Sequence, residues 1–177
     1  MRQATQSDLP QVRQIFNHYV LNTVVSFLVQ PPPPDYIRSR FESSLERNLP
    51  YLVAVDSSDG GETVVGYAYA SAFRGFMLGY AHTVEMSIFC HPKHISRGIG
   101  SQLMVELLTQ LRTTKHMTKE AGYEDKPIQV DVKKVMAIMA VDEQAPSNGL
   151  ALCEWYQKWG FEEVGRLKGV GYKKGRV

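Results

Sequence analysis

Residues 83–111 constrain the fold of this chain more than any other stretch. Apolar residues occupy every second position at its start: Val84, Met86, Ile88 and Cys90. This alternation predicts a strand, and Pro92 ends it because proline cannot donate to a sheet ladder. Farther along, apolar residues recur every four positions: Ile99, Leu103, Leu107 and Leu111. That period predicts a helix with one apolar face, so the stretch folds as strand, loop and helix.

The junction between this strand and helix consists of Arg97, Gly98, Ile99, Gly100 and Ser101, which we call the anion loop. The first N–H groups of a helix have no internal partner, and the helix dipole makes that end partly positive. Glycines let an anion approach the backbone, and the arginine adds a full positive charge. The junction therefore fits a pyrophosphate-binding loop, and an ordinary glycine turn before a helix fits the same residues.

Spacing excludes two other phosphate-binding motifs. A Walker loop needs Gly-Lys-Ser/Thr after a longer glycine frame, and the sequence has no such run. A dinucleotide fingerprint needs a third glycine three residues after Gly100, and Leu103 stands there.

The composition indicates one globular domain in a reducing compartment. The 177 residues are 44% hydrophobic and 21% charged, and the net charge of +2 gives no support for a nucleic-acid or membrane partner. Two cysteines do not make a disulfide framework. The sequence shows no signal-peptide pattern and no apolar run of spanning length, so we expect a cytoplasmic protein.

The remaining pattern predicts helices and strands on both sides of the anion loop. We expect strands at 2–5, 51–55, 63–72 and 135–140, an extended segment at 24–29, helices from Leu9, after Pro34 and over 150–158, and the start of a last hairpin at 161–170. The turn at 57–61 predicts that the second and third strands form a hairpin. An apolar stripe of Ile37, Phe41 and Leu45 predicts the buried face of the second helix. Residues 113–134 look like an insertion.

Several short segments match one family in combination. They are Asn17-His18-Tyr19 with Phe27, Val65-Gly66-Tyr67-Ala68, Thr83-Val84-Glu85, Tyr156-Gln157-Lys158-Trp159-Gly160-Phe161, and Gly169-Val170-Gly171-Tyr172-Lys173-Lys174-Gly175. Together with the anion loop they resemble the GNAT acetyltransferase superfamily, and within it the phosphinothricin/methionine-sulfoximine N-acetyltransferase group.

The resemblance implies an α/β (α+β) GNAT fold over residues 1–177. This fold has a central mixed, mostly antiparallel sheet with helices on both faces and splayed fourth and fifth strands. The resemblance also implies acetyl-CoA as cosubstrate, with its pyrophosphate on the anion loop. The strand edge at Ile88, Phe89 and Cys90 would then bind the pantetheine arm. Asn148 would bind the same arm, or would simply cap the helix that follows it.

Two residues are candidates for proton transfer. Glu85 lies mid-strand among apolar residues, where an unpaired carboxylate is costly, and it matches the glutamate that the group places near the acceptor amine. It would act as the base, or would only bind the substrate ammonium or an arginine. Tyr156 matches the tyrosine that many superfamily members direct at the CoA sulfur, so it would act as the acid. Its alternative role is packing in the last helix.

Four residues are candidates for acceptor binding: His18, Phe27, Arg74 and Tyr80. His18 lies between aromatic residues, so the pattern alone favours local packing or hydrogen bonding, and the resemblance raises its candidacy for acceptor contact. Two departures from the group's pattern weaken the match: Ile95 replaces a polar residue in the loop before Gly98, and Met77 replaces an arginine before Tyr80. The first predicts weaker CoA binding. The second puts an anionic substrate group in question, although Arg74 lies close enough in sequence to substitute.

The leading prediction is therefore an acetyl-CoA-dependent N-acetyltransferase that acts directly on the primary amine of a small amino-acid-like molecule. Alternatives are a protein or peptide N-acetyltransferase and a non-catalytic CoA-binding module. Cys90, His91 and His94 match no zinc spacing, so no metal is expected. A homodimer is expected from the group. Because the group continues into one more strand, we expect an incomplete last hairpin.

Overall fold

The structure, a computed structural model, describes residues 1–58 and 60–175, without the side chain of Pro146. The strands are β1 (Arg2–Gln3), β2 (Tyr51–Asp56), β3 (Thr63–Ala72), β4 (Thr83–Cys90), β5 (Lys115–Thr118), β6 (Ile128–Asp131) and β7 (Lys134–Ala137). The helices are α1 (Leu9–Asn22), α2 (Asp35–Glu46), α3 (Ile99–Leu111) and α4 (Ala151–Gln157). No helix among these is long and apolar enough to cross a membrane.

The described chain forms two compact units. The first contains residues 1–16 and 33–138, and the second contains residues 17–32 and the described residues from 139 on. The expectation of one domain over the whole chain stays a prediction.

The first unit is built on a five-stranded sheet in the order β1-β2-β3-β4-β7. The first four strands pair antiparallel, and β4 pairs parallel with β7. This mixed, mostly antiparallel sheet confirms the predicted fold class. The predicted hairpin is β2 and β3, which pair from Tyr51↔Tyr69 to Asp56↔Thr63.

The two faces of this sheet carry different side chains because strand residues alternate. On β3, Gly66 faces α3, and a Cβ there would lie 3.0 Å from Ile99 Cγ2 and 3.1 Å from Leu103 Cδ1. We call this side the α3 face. On the opposite side, which we call the α2 face, Tyr69 receives a hydrogen bond from Arg40 of α2. One helix therefore covers each face, as predicted.

Three predictions of local structure were wrong. Leu45 is 51% exposed, and the buried positions of α2 are Ile37, Phe41 and Ser44. Ser44 takes the third buried place because its hydroxyl bonds the Arg40 and Ala70 carbonyl oxygens. The chain bends at residues 24–26 and at 29, so the predicted extended segment does not form, and residues 161–170 form no strand. Residues 113–134 contain a hairpin of β5 and β6, and their being an insertion stays a prediction.

Candidate active site

The anion loop forms the N-terminus of α3, as the sequence predicts. Gly98 precedes the helix in a left-handed conformation, with φ 75°, and no atom lies within 4 Å of where its Cβ would be. The amide N–H of Gln102 donates to the Gly98 carbonyl at 3.0 Å, which is the first helical bond. The amides before Gln102 therefore have no acceptor within the helix. An exposed, side-chain-free helix start of this kind fits a pyrophosphate group.

One amide of the anion loop is already engaged. The N–H of Gly100 is directed at the Cys90 thiol and lowers its pKa, although burial of the sulfur has the larger effect and raises the pKa overall. The loop thus offers its other free amides and the Arg97 guanidinium to an anion. Cys90 fixes the end of β4 against the start of α3.

Side chains before the helix hold one another in place. Arg97 Nη1 lies 3.3 Å from His94 Nδ1, and the Lys93 amide donates to His91 Nδ1 at 3.2 Å. The two histidine rings meet edge to face with centroids 5.2 Å apart. Ile95 is 59% exposed and offers no side-chain hydrogen bond. The groups that the loop offers to an anion are therefore backbone amides and Arg97.

The second half of β4 has one edge beyond the parallel pairing. The register between β4 and β7 runs from Thr83↔Lys134 to Met86↔Ala137, and no pair follows it among the described residues. Ile88, Phe89 and Cys90 therefore pair with β3 and present their other backbone edge, which suits an extended amide-rich ligand. Whether the two strands splay apart stays a prediction.

Glu85 lies on the α2 face in the paired half of β4. It stands opposite Ser71 of β3 and Met136 of β7. Its side chain is half-buried, and within the described part of the chain it has no hydrogen bond or ion pair. A partly desolvated carboxylate without a partner is available for a cationic ligand or for a proton.

A cleft beside Glu85 was not predicted from the sequence. It has a volume of about 330 Å³ and is lined by Tyr36, Ser39, Arg40, Ser43, Tyr69 and Ser71, and we call it the α2–β3 cleft. Arg40 Nη1 donates to the Tyr69 hydroxyl at 2.8 Å, and Nη2 donates to the Tyr36 hydroxyl. The only sequence signal was the spacing of residues 36, 40 and 43 along one side of α2.

The predicted acceptor loop is exposed. Arg74 adopts a left-handed conformation, with φ 56°, and its guanidinium lies 5.8 Å from the Phe73 ring. Tyr80 is 46% exposed and meets Phe73 edge to face at 5.3 Å. Phe73 therefore contacts both candidates. Met77 is 56% exposed.

In the second unit, Tyr156 lies on α4 within an aromatic cluster. Its ring contacts Trp155 at 5.2 Å and Phe161 at 5.4 Å. Burial raises the pKa of the Tyr156 phenol. The phenol therefore stays protonated well above neutral pH, which an acid requires. Its packing is equally consistent with a structural role.

Asn148 does not cap α4. The residue before that helix is Leu150, and both Ser147 and Asn148 have left-handed backbones, with φ 58° and 50°. Gly149 packs against the backbone of Asp142, because a Cβ at Gly149 would lie 2.4 Å from the Asp142 carbonyl oxygen. The exposed Asn148 amide remains a candidate for binding a ligand.

His18 and Phe27 also lie in the second unit. His18 Nδ1 is 3.3 Å from the Asn22 amide nitrogen, and its ring meets Tyr19 edge to face at 5.7 Å. Phe27 packs so closely on Gly171 that a Cβ there would lie 2.3 Å from the ring. Phe27 lines a second cavity of about 210 Å³, together with Lys173. Both candidates therefore have local contacts within their own unit.

Known proteins resemble the whole chain. The acetyltransferase (GNAT) family model matches residues 12–125. A phosphinothricin N-acetyltransferase of Alcaligenes faecalis is 32% identical over 99% of this chain and 76% of its own. An L-methionine sulfoximine/L-methionine sulfone acetyltransferase of Salmonella typhimurium is 30% identical over 99% of this chain and 87% of its own. Among solved structures, a phosphinothricin acetyltransferase from Sinorhizobium meliloti in complex with AcCoA aligns with a TM-score of 0.78 at 30% identity, covering 99% of this chain and 80% of that one.

Proposed function

The chain belongs to the GNAT acetyltransferase family, and we propose that it transfers an acetyl group from acetyl-CoA to the primary amine of a small amino-acid-like molecule. The observation that carries the proposal is Glu85. Its half-buried carboxylate has no partner among the described residues and stands beside the α2–β3 cleft. The names of the two relatives support an amino-acid-like acceptor over a protein.

Acetyl-CoA is the acyl donor in this family, and its thioester provides the activated acetyl carbonyl. Residues of the first unit would hold it. The free amides and Arg97 of the anion loop would bind the pyrophosphate. The open backbone edge of Ile88, Phe89 and Cys90 would bind the pantetheine arm as a neighbouring strand does. Asn148 in the second unit would contribute a further hydrogen bond.

Proton transfer would fall to Glu85 and Tyr156. An ammonium group has no lone pair, so it must lose a proton before it can attack a carbonyl. Glu85 would accept that proton, directly or through water. Tyr156, whose phenol stays protonated because burial raises its pKa, would donate a proton to the leaving sulfur. The transfer would be direct, because no acyl-enzyme is needed.

Four residues are proposed to bind the acceptor. In the first unit these are Arg74 and Tyr80, and in the second His18 and Phe27. A homodimer is part of the proposal, supported by the exposed apolar side chains of Val164, Leu167 and Val170. A cytoplasmic location is supported by the small number of cysteines.

The decisive experiment replaces Glu85 by Gln and measures release of the CoA thiol on a panel of amines. The panel contains phosphinothricin, methionine sulfone and a lysine peptide. Wild type should acetylate the amino acids in preference to the peptide. Glu85→Gln should lower kcat by about 10²- to 10⁴-fold while the Kd for acetyl-CoA stays unchanged. Activity of the variant should recover as rising pH deprotonates the amine in solution.

Glu42→Gln is the matched control, because Glu42 is an exposed carboxylate on α2 that does not line the cleft. It should leave kcat and KM unchanged. If Glu85→Gln raises only the KM of the amine, Glu85 binds the ammonium and is not the base. If wild type acetylates none of the panel, the proposed function itself is wrong.

A further inference from the structure

Arg40 brings a positive charge into the α2–β3 cleft without a carboxylate to balance it. Its guanidinium donates to the hydroxyls of Tyr69 and Tyr36, and no acidic side chain pairs with it among the described residues. We propose that Arg40 determines acceptor specificity by binding an oxyanion, a carboxylate or a phosphinate, on the molecule whose amine is acetylated. The proposal rests on the proposed function, since it assigns the other end of the same substrate.

The guanidinium is held ready for a ligand. One bond, from Nη1 to the Tyr69 hydroxyl, is 2.8 Å long, and the guanidinium carbon lies 4.6 Å from the centre of the Tyr36 ring. The two hydroxyls accept from different nitrogens, so they fix the plane of the group. Because an arginine has five N–H donors, the others remain for a planar or tetrahedral oxyanion. A side chain fixed in advance loses less entropy on binding.

Arg40 and Glu85 both lie on the α2 face of the sheet. Tyr69 and Ser71 lie two residues apart on β3 and share the α2 face. Ser71 stands directly opposite Glu85. Directly opposite residues have Cβ atoms about 4.5–5.5 Å apart, and diagonal ones about 7–8 Å. The cation of Arg40, bonded to Tyr69, and the anion of Glu85 therefore lie on the same side of the sheet.

The chemistry of the cleft also favours an anion. Its described lining consists of tyrosine and serine hydroxyls and one arginine, and no carboxylate is among those residues. The volume of about 330 Å³ is at the lower end of the range for small-molecule sites. Hydroxyl groups donate to an oxyanion, and the arginine supplies the opposite charge.

Arg47 is a second arginine of this chain, and its buried surroundings differ from those of Arg40. Arg47 is only 8% exposed, donates to the Thr118 hydroxyl at 3.3 Å, and lies 4.5 Å below the Phe76 ring. Its burial lowers its pKa. Arg40, in contrast, is exposed and lines an open cleft, so a dissolved ligand can reach it.

The test compares Arg40→Gln with Arg38→Gln, an exposed arginine on the same helix that does not line the cleft. Three amines serve as acceptors. Phosphinothricin has a carboxylate and a phosphinate, methionine sulfone has a carboxylate only, and methionine amide has neither. Arg40→Gln should raise the KM of the anionic acceptors about 10- to 100-fold, with kcat and the KM of acetyl-CoA unchanged. Methionine amide should be unaffected, and Arg38→Gln should match wild type throughout.

The pattern of losses identifies the bound group. A loss with phosphinothricin alone assigns Arg40 to the phosphinate, and an equal loss with methionine sulfone assigns it to the carboxylate. No loss with either, or the same loss with methionine amide, overturns the proposal. Arg40→Lys keeps the charge and should restore part of the affinity.

Two further measurements guard against misfolding and against failure of the proposed function. Tyr69→Phe removes one hydroxyl that holds the arginine, and it should raise the same KM values by a smaller factor. Calorimetry of phosphinothricin with the CoA-saturated protein measures binding without turnover. The protein could bind phosphinothricin through Arg40 and yet acetylate no amine. That result would support the anion site and contradict the proposed function.

Discussion

The two faces of the central sheet have opposite compositions. On the α3 face the side chains are small or aliphatic: Gly66, Ala68 and Ala70 of β3, and Val84, Met86 and Ile88 of β4. On the α2 face they are aromatic or polar: Tyr67, Tyr69 and Ser71 of β3, and Glu85, Ser87 and Phe89 of β4. The same strands therefore provide a packing surface on one side and functional groups on the other.

This difference fits the proposed site, because the candidate base Glu85 and the cleft lie on the α2 face. Small residues on the α3 face let α3 approach closely, and the helix contributes Leu103 and Leu107, which have no exposed surface. On the α2 face, Tyr69 and Ser71 of β3 line the α2–β3 cleft together with residues of α2. Substitutions on the α3 face should change folding, and substitutions around the cleft should change catalysis.

The largest stability effect is expected on the α3 face. Leu103→Ala should lower the free energy of unfolding by about 2–5 kcal/mol, because it leaves a cavity at a side chain with 0% exposure. Val105→Ala, at a 51% exposed position of the same helix, should change it by less than about 0.5 kcal/mol. Urea unfolding measures both values. If the folded Leu103→Ala enzyme had a strongly altered acceptor KM, the division between the two faces would not hold.

An intermediate effect on the free energy of unfolding is expected at Asp8. This residue lies on neither face of the sheet, so it gives a reference value for both. Arg2 donates to Asp8 Oδ2 at 2.7 Å and to Oδ1 at 2.9 Å, and these bonds are the main reason that the pKa of Asp8 falls to about 2. Because the pKa is depressed by folding, the stabilisation is present above about pH 4 and is lost as pH falls toward about 2. Asp8→Asn should cost on the order of 1–2 kcal/mol at pH 7, with allowance for the partly exposed arginine.

Unfolding curves from pH 7 to pH 2 check this dependence. The difference between wild type and Asp8→Asn should shrink across the acid range and vanish at its lower end. Glu62→Gln serves as the control, because the Glu62 side chain is 63% exposed and its bond to Arg2 should contribute little. A difference that stays constant with pH would mean that the carboxylate charge is not what stabilises the fold.

The smallest effect is expected at Tyr51 on the α2 face, and it has the opposite sign. Tyr51 is 1% exposed, and its hydroxyl has no hydrogen-bond partner among the described residues. Burial raises the pKa of this phenol, so it stays neutral. Tyr51→Phe should therefore raise the free energy of unfolding by about 1 kcal/mol, because a buried unpaired hydroxyl is costly.

Tyr69→Phe is the comparison, since the Tyr69 hydroxyl accepts a bond from Arg40. Thermal unfolding of the two variants should show shifts in opposite directions. If Tyr51→Phe lowered the unfolding temperature, the Tyr51 hydroxyl would have a hydrogen-bond partner in solution. The buried part of the α2 face would then also contain paired polar groups.

The sequence predicted those parts of the fold that depend on local order. The alternation at 84–90 and the four-residue period from Ile99 can each be read within one short segment of the sequence. For this reason β4 and α3 were predicted correctly. The helix at 150–158 was also predicted, and α4 ends at Gln157, three residues before Gly160 adopts φ 84°. The anion loop followed from the same local signals.

Features that depend on distant contacts were missed. The α2–β3 cleft joins residues 36–43 with residues 69–71, and no spacing within either segment reveals the other. The hairpin of β5 and β6 shows no apolar alternation in the sequence, because the buried residues of β5 are the polar His116 and Thr118. Leu45 fits an apolar period, yet the hydroxyl of Ser44 finds partners in the interior that no hydropathy pattern anticipates.

The alternation along β3 has a practical consequence for redesign. Odd-numbered positions such as 67, 69 and 71 point toward the cleft side, and even-numbered positions such as 66, 68 and 70 carry the scaffold. A combinatorial library confined to positions 69 and 71, the two β3 residues that line the cleft, would search for new acceptors and leave Tyr67, which is 1% exposed, in the core. A library of consecutive codons would also vary the buried even-numbered positions, and most of its members would not fold.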